Sequence, residues 1–272
     1  MTAFVHHLKY DFFNGLRDRS LLLMNYLFPI ALFFMLGALL GGISPAFHET
    51  LIPALIGIAV MTSTLLGMPN PIVAAREAGV FRSYKINGIP SASILSIPAL
   101  TSLLHLILVS SVISLLGVLL FKADLPVHWL PFVLIGLLTT FSMSGIGMLI
   151  GVISSNSRST ILISQLFFVP SMMLSGMVMP STMLPPNMQR VAMLLPATHA
   201  MNAWNAFAFG KPTIVNPFWS VVVLAAGGTI AFALAVLLFQ WDSHNQKRGK
   251  SPYLAAFALV PYLLAALLLG VK

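Results

Sequence analysis

Seven apolar runs divide this chain, at 21–43, 51–69, 91–121, 129–153, 159–179, 218–240 and 252–271. Each is about as long as the roughly 20 residues that cross a bilayer. None contains Asp, Glu, Lys or Arg. A charged residue at the centre of such a helix costs about 2.5–3.5 kcal/mol, so their absence is a constraint on the fold. It predicts an all-α, polytopic membrane helix bundle of six or seven transmembrane helices. Composition agrees: 58% of residues are hydrophobic and 7% charged, against about 25% charged in soluble domains.

The net charge of +8 does not point to nucleic acid, because the basic residues flank the apolar runs. With the N-terminus in the cytoplasm, Lys9, Arg17, Arg19, Arg76, Arg82, Lys85, Arg158, Lys247, Arg248 and Lys250 fall inside. Lys122, Arg190, Lys211 and Lys272 fall outside. This positive-inside bias predicts a multi-pass protein of the cell (inner or plasma) membrane with a cytoplasmic N-terminus. Cysteine is absent, which removes disulfides and thiol chemistry. In residues 1–20, Phe4, Leu8, Phe12 and Leu16 recur every four residues, the pattern of an amphipathic interfacial helix. The expected organisation is 1–20 interfacial helix, 21–242 transmembrane domain and 243–272 an extra hydrophobic segment that would add a seventh span.

Energy-coupling chemistry is missing from the sequence. There is no G-x-x-x-x-G-K-[ST], H-E-x-x-H or G-x-S-x-G. A secondary carrier would need buried ionisable groups, and an intramembrane lipid-modifying enzyme would need a nucleophile beside a base. Both remain as alternatives, but only His105 sits inside a run, and a lone histidine there is read as a helix–helix hydrogen-bonding group. The chain is therefore expected to be no enzyme, and to borrow its motion from a partner.

Two segments stand out. Between the second and third runs lies NPIVAAREAGVFRSYKINGIPSAS, residues 70–93, with Arg76, Glu77, Arg82 and Lys85 close together. Pro71 can open a helix there, and Gly88 with Pro90 can close one, so a short charged helix is expected on the inner face. The second segment, residues 167–204, holds five prolines and eight of the fifteen methionines. Pro170 is expected to kink the fifth helix, and Pro180 and Pro185-Pro186 to end it. The apolar chain beyond cannot face lipid as irregular backbone, so short broken helices dipping into the outer leaflet are expected. Its methionines suit a hydrophobic or amphipathic cargo or simple gap filling, and no His/Met pairing supports a metal site. Asn25 and Gln165 are expected to face a cavity or an interface. Gly147 and Gly151 form a small-xxx-small pattern read as packing.

These residues resemble type 2 ATP-binding-cassette (ABC) exporter permeases over about residues 5–242. The resemblance rests on Arg76-Glu77-Ala78-Gly79 followed by Lys85 and Pro90, on Arg17-Asp18 and Pro29 at the first run, and on the later Leu-Ser-Gly, Met-Pro, Pro-Pro and Leu-Pro-Ala-Thr-His. It implies the membrane-spanning subunit of an ABC transporter, pairing with a second permease copy or paralogue and with separate ATPase subunits. It implies no cofactor bound by this chain, with ATP and Mg on the partner. Arg76, Glu77, Gly79, Arg82 and Lys85 would form the coupling contact, with a second near Arg158. Asn25, Gln165, Met172, Met173, Ser175 and Gly176 would lie on the substrate path or dimer interface. The outer broken helices would be re-entrant. Most members have six spans, so 252–271 departs from the pattern.

Overall fold

The computed structural model describes residues 2–40, 45–242 and 251–269, and every regular element among them is a helix. Lys247, Arg248, Lys250 and Lys272 lie outside the described residues. Helix α1 (Thr2–Arg17) ends at a turn where the Asp18 carboxylate accepts the Leu21 N–H at 3.1 Å. An acidic cap of this kind starts a new helix. Helix α2 (Arg19–Leu22) then runs through a π-helical stretch, Leu23–Leu27, into α3 (Phe28–Leu40). The second rod is built the same way: α4 (Pro45–Met61), a π stretch at Thr62–Gly67 and α5 (Pro69–Glu77), joined by helical backbone at Met61 and Met68. A short helix α6 (Val80–Ile86) precedes α7 (Ser91–Phe121), α8 (Trp129–Ile153) and α9 (Ser157–Leu174). Next come a 3-10 turn at Ser181–Met183, α10 (Pro186–Ala192), α11 (Pro196–Ala203) and a third π stretch at Trp204–Ala208. Helix α12 (Pro217–Leu238), a 3-10 helix at Pro252–Leu259 and α13 (Val260–Leu268) complete the described fold.

Among the described residues, four helices are long and apolar enough to cross a membrane: Thr50–Glu77, Ser91–Phe121, Trp129–Ile153 and Pro217–Leu238. Asn25–Ala38 and Pro252–Leu268 are shorter apolar helices. The second rod is the axis of the bundle. Its most apolar window is 94% buried, against 28% for α7, which lies on the periphery.

Small residues explain how α8 packs between that axis and α12. A methyl group on Gly147 would lie 2.1 Å from the Thr64 carbonyl oxygen, and one on Gly151 would lie 2.9 Å from that of Pro69. On the opposite side, one on Gly145 would lie 2.9 Å from the Gly228 carbonyl oxygen. Backbones meet directly at these points, as small residues allow within a membrane. Most threonines of the packed helices serve their own backbone. Thr62, Thr64, Thr139 and Thr140 donate to carbonyls three or four residues back, at 2.7–3.0 Å.

The last apolar run is docked, not loose. Tyr262 is 1% exposed, lies against Gly227, and its hydroxyl meets the Ser142 hydroxyl at 2.9 Å. Eight 3-10 residues and nine α residues give a rise of about 30 Å, close to a bilayer core. Tyr262→Phe is expected to cost about 1 kcal/mol, the scale of a hydrogen bond between membrane helices. Thermal unfolding of the purified protein in detergent measures it.

Candidate functional site

At the α6 end of the bundle, the expected helix from Pro71 to Gly88 is split in two. Its first half is the end of the second rod, which runs helically to Glu77. Gly79 then adopts φ +74, a left-handed conformation that glycine takes without the clash a Cβ brings. Gly88, at φ +71, ends α6 on the other side. The separate short helix is thus the seven residues of α6, set between two glycine turns.

The site residues fall into two groups by orientation. Arg76 is 4% exposed and turned into the protein. Its guanidinium donates to the carbonyls of Val152 at 2.8 Å, Gly151 at 3.5 Å, and Ser154. These are the last carbonyls of α8 and the residue just beyond it, where a cation also complements the helix dipole. Arg76 therefore fastens the second rod to α8, and its guanidinium lies apart from the exposed side chains of α6. Glu77, Gly79, Arg82 and Lys85 are exposed. Arg158 is also exposed, in the first turn of α9, which Asn156 and Ser159 open with a reciprocal capping box.

Reasoning on charge alone missed what holds α6. Phe81 is 4% exposed and lies 5.0 Å, centroid to centroid, from Phe239, beyond the end of α12. Arg82 makes a salt bridge with Asp242. Tyr84 packs edge-on against His7 of α1 at 5.8 Å. The signal was present: Phe81 and Tyr84 are aromatic residues in a loop otherwise read for its charges.

At the opposite end, α9 stops at Leu174, not at the prolines. Gly176, at φ +94, follows the cap residue Ser175 and ends the helix in the manner of a left-handed C′ glycine. Pro186 and Pro196 instead open α10 and α11, where a missing N–H costs nothing. All eight residues of α11 are buried, so this segment is an internal strut and not a surface loop. A polar relay holds it. Asn202 Nδ2 donates to Ser220 Oγ at 2.9 Å and to the Val215 carbonyl at 3.1 Å. The Ser220 hydroxyl lies 3.3 Å from His199 Nδ1, and His199 Nε2 lies 2.9 Å from the Met193 carbonyl. Only the Nε2–H tautomer of His199 satisfies both contacts, since the carbonyl needs a donor.

The remaining path residues are dispersed. Ser175 is buried and its hydroxyl has no protein partner. Met172 is half-buried against the core, and Met173 is 61% exposed. Gln165 is exposed on the face of α9 that also presents Leu162, Leu166 and Val169. Asn25 is buried near the α6 end, next to Gly67. Among the described residues, no group of His, Cys, Asp and Glu could hold a metal ion.

A family model described as ABC-2 type transporter matches residues 2–209. No curated protein matches the chain.

Proposed function

Because the chain belongs to the ABC-2 type transporter family, we propose that it is the permease subunit of an exporter, driven outward by separate ATPase subunits. The cargo is a hydrophobic or amphipathic molecule, such as a drug, a lipid or a lipid-linked glycan. ATP and Mg stay on the partner, and this chain binds neither. The observation that carries the reading is α6: a short helix between glycine turns, with exposed Arg82 and Lys85, a buried Phe81 beneath, and exposed Glu77 just before its first turn. A surface built this way can seat in a groove and pass its displacement inward. Arg158, at the start of α9, supplies a second contact on the same side. The α6 end faces the cytoplasm, in keeping with the positive-inside distribution.

A second permease copy packs on α9. Gln165 stands among exposed apolar residues, and an amide facing lipid would go unsatisfied. Asn25 belongs to the coupled interior. Met172, Met173, Ser175 and Gly176 stand where cargo passes outward, below the re-entrant α10 and α11.

Glu77→Lys combined with Lys85→Glu is expected to leave membrane insertion intact. It should cut the amount of ATPase that co-purifies by about tenfold, a loss of about 1.4 kcal/mol. Undiminished ATPase recovery with normal transport would sink the assignment of α6.

A further inference from the structure

Two π-helical stretches, Leu23–Leu27 of the first rod and Thr62–Gly67 of the second, touch each other. Single π turns are rare and gather at functional sites. Here they border a cavity of about 190 Å³ that α1, α6 and the first half of α7 close from the other sides. Four of its polar lining residues are more than nine-tenths buried: Asn25 at 6% exposed, Ser63 at 5%, Thr101 at 4% and His105 at 2%. The Thr101 hydroxyl donates to the Ile97 carbonyl at 3.0 Å, whereas the other three each carry an occluded atom with no protein partner, namely Asn25 Oδ1, Ser63 Oγ and His105 Nε2. Buried polar atoms left this way cost free energy. Three residues that carry such atoms around one cavity therefore mark it as built for a polar guest.

The surroundings fix these groups. His105 Nδ1 is tied to the Tyr26 hydroxyl at 2.6 Å, and Phe12 of α1 stacks on the ring at 4.6 Å. Glycines stand beside the two outer members. A methyl on Gly67 would lie 3.4 Å from Asn25 Oδ1, and one on Gly15 would lie 2.6 Å from His105 Nε2.

The chemistry of the lining selects the guest. Asn25 Oδ1 can only accept a hydrogen bond, and the Asp11 carboxylate, which also lines the cavity, offers two more acceptor oxygens. Ser63 and His105 adapt to either role. Among the described residues, no Lys or Arg lines the cavity, so an anionic head would find a carboxylate there and no counter-charge. A cationic donor finds acceptors, a carboxylate, and the rings of Phe81 and Tyr84, which suit an ammonium. The volume lies just above the roughly 150 Å³ of a cavity that holds benzene and below the about 300 Å³ of a drug-sized pocket. It fits a head group and its first few carbons.

We infer that this cavity binds the ammonium head of a primary-amine amphiphile, with Asp11, Asn25, Ser63 and His105 as its acceptors. Its walls include both α1 and α6, so occupancy braces α6 from within. The inference does not depend on the transport reading, because binding is measured on the permease alone.

The test uses the full chain in phosphatidylcholine nanodiscs, with empty nanodiscs as reference. Radiolabelled dodecylamine is compared with dodecanol and dodecyl sulfate. Dodecylamine is expected to bind saturably, about tenfold or more tighter than dodecanol, and dodecyl sulfate is expected to show no saturable binding. Asp11→Asn, on the half-buried side of α1, should erase the preference for the amine over the alcohol. Ser63→Ala should weaken amine binding by about threefold or more. Thermal unfolding of each variant reports its integrity. Equal retention of amine and alcohol, uptake that never saturates, or an unchanged preference in a folded Asp11→Asn protein would each overturn the inference, leaving the cavity to water.

Discussion

Gly147→Ala is expected to destabilise the protein by about 3 kcal/mol or more, at the upper end for overpacking. The added methyl would sit 2.1 Å from the Thr64 carbonyl oxygen and 3.0 Å from its carbon. Both atoms are backbone, so no rotamer change relieves the clash. Helix α8 and the second rod would have to separate, and the neighbouring contact of Gly151 with Pro69 would open with them. Gly136→Ala in the same helix is the control. Its methyl would meet only a Trp204 ring carbon, at 3.7 Å, so the replacement should be tolerated within about 0.5 kcal/mol. Thermal unfolding in detergent compares the two. Equal midpoints would mean that α8 does not lie against the π stretch at Thr62–Gly67.

Arg76→Met should cost about 2–4 kcal/mol, since charge-assisted hydrogen bonds to the end of α8 disappear together. The carbonyls of Val152 and Ser154 would lose their donor in a buried setting. Arg76→Lys keeps the charge but not the planar fork that reaches several oxygens at once, so it should recover less than half of the loss. The same variants separate two roles for this residue. An unfolding midpoint that stays at the native value while ATPase co-purification is lost would place the guanidinium on a partner and not on α8.

Much of this architecture was legible in the sequence, because lipid tolerates so few side chains. The charge-free runs mark the rods, and Gly147-x-x-x-Gly151 marks the crossing of α8 with the axis. His105 reads as a helix–helix hydrogen-bonding residue, and it bonds Tyr26 on the first rod. Other features had no one-dimensional signal. The π stretches arise from tertiary packing and change no composition. The inward turn of Arg76 depends on where α8 ends, some 75 residues later in the chain. Prolines drew the end of the fifth helix too far on, because a glycine free to adopt φ +94 stops a helix as well as a proline does. In one dimension the charged loop reads as a single helix, because Gly79 sits among residues that favour helix on either side.

Helix α6 is held from three sides: by the end of the second rod, by His7 of α1, and by Phe239 and Asp242 beyond α12. The smallest transplantable part of this machine is therefore discontinuous. A graft of residues 78–90 alone into a related permease would arrive without its bearings, and would have to carry along the cognate stretches around positions 7 and 239–242. Lineages that alter α6 should alter these three places together.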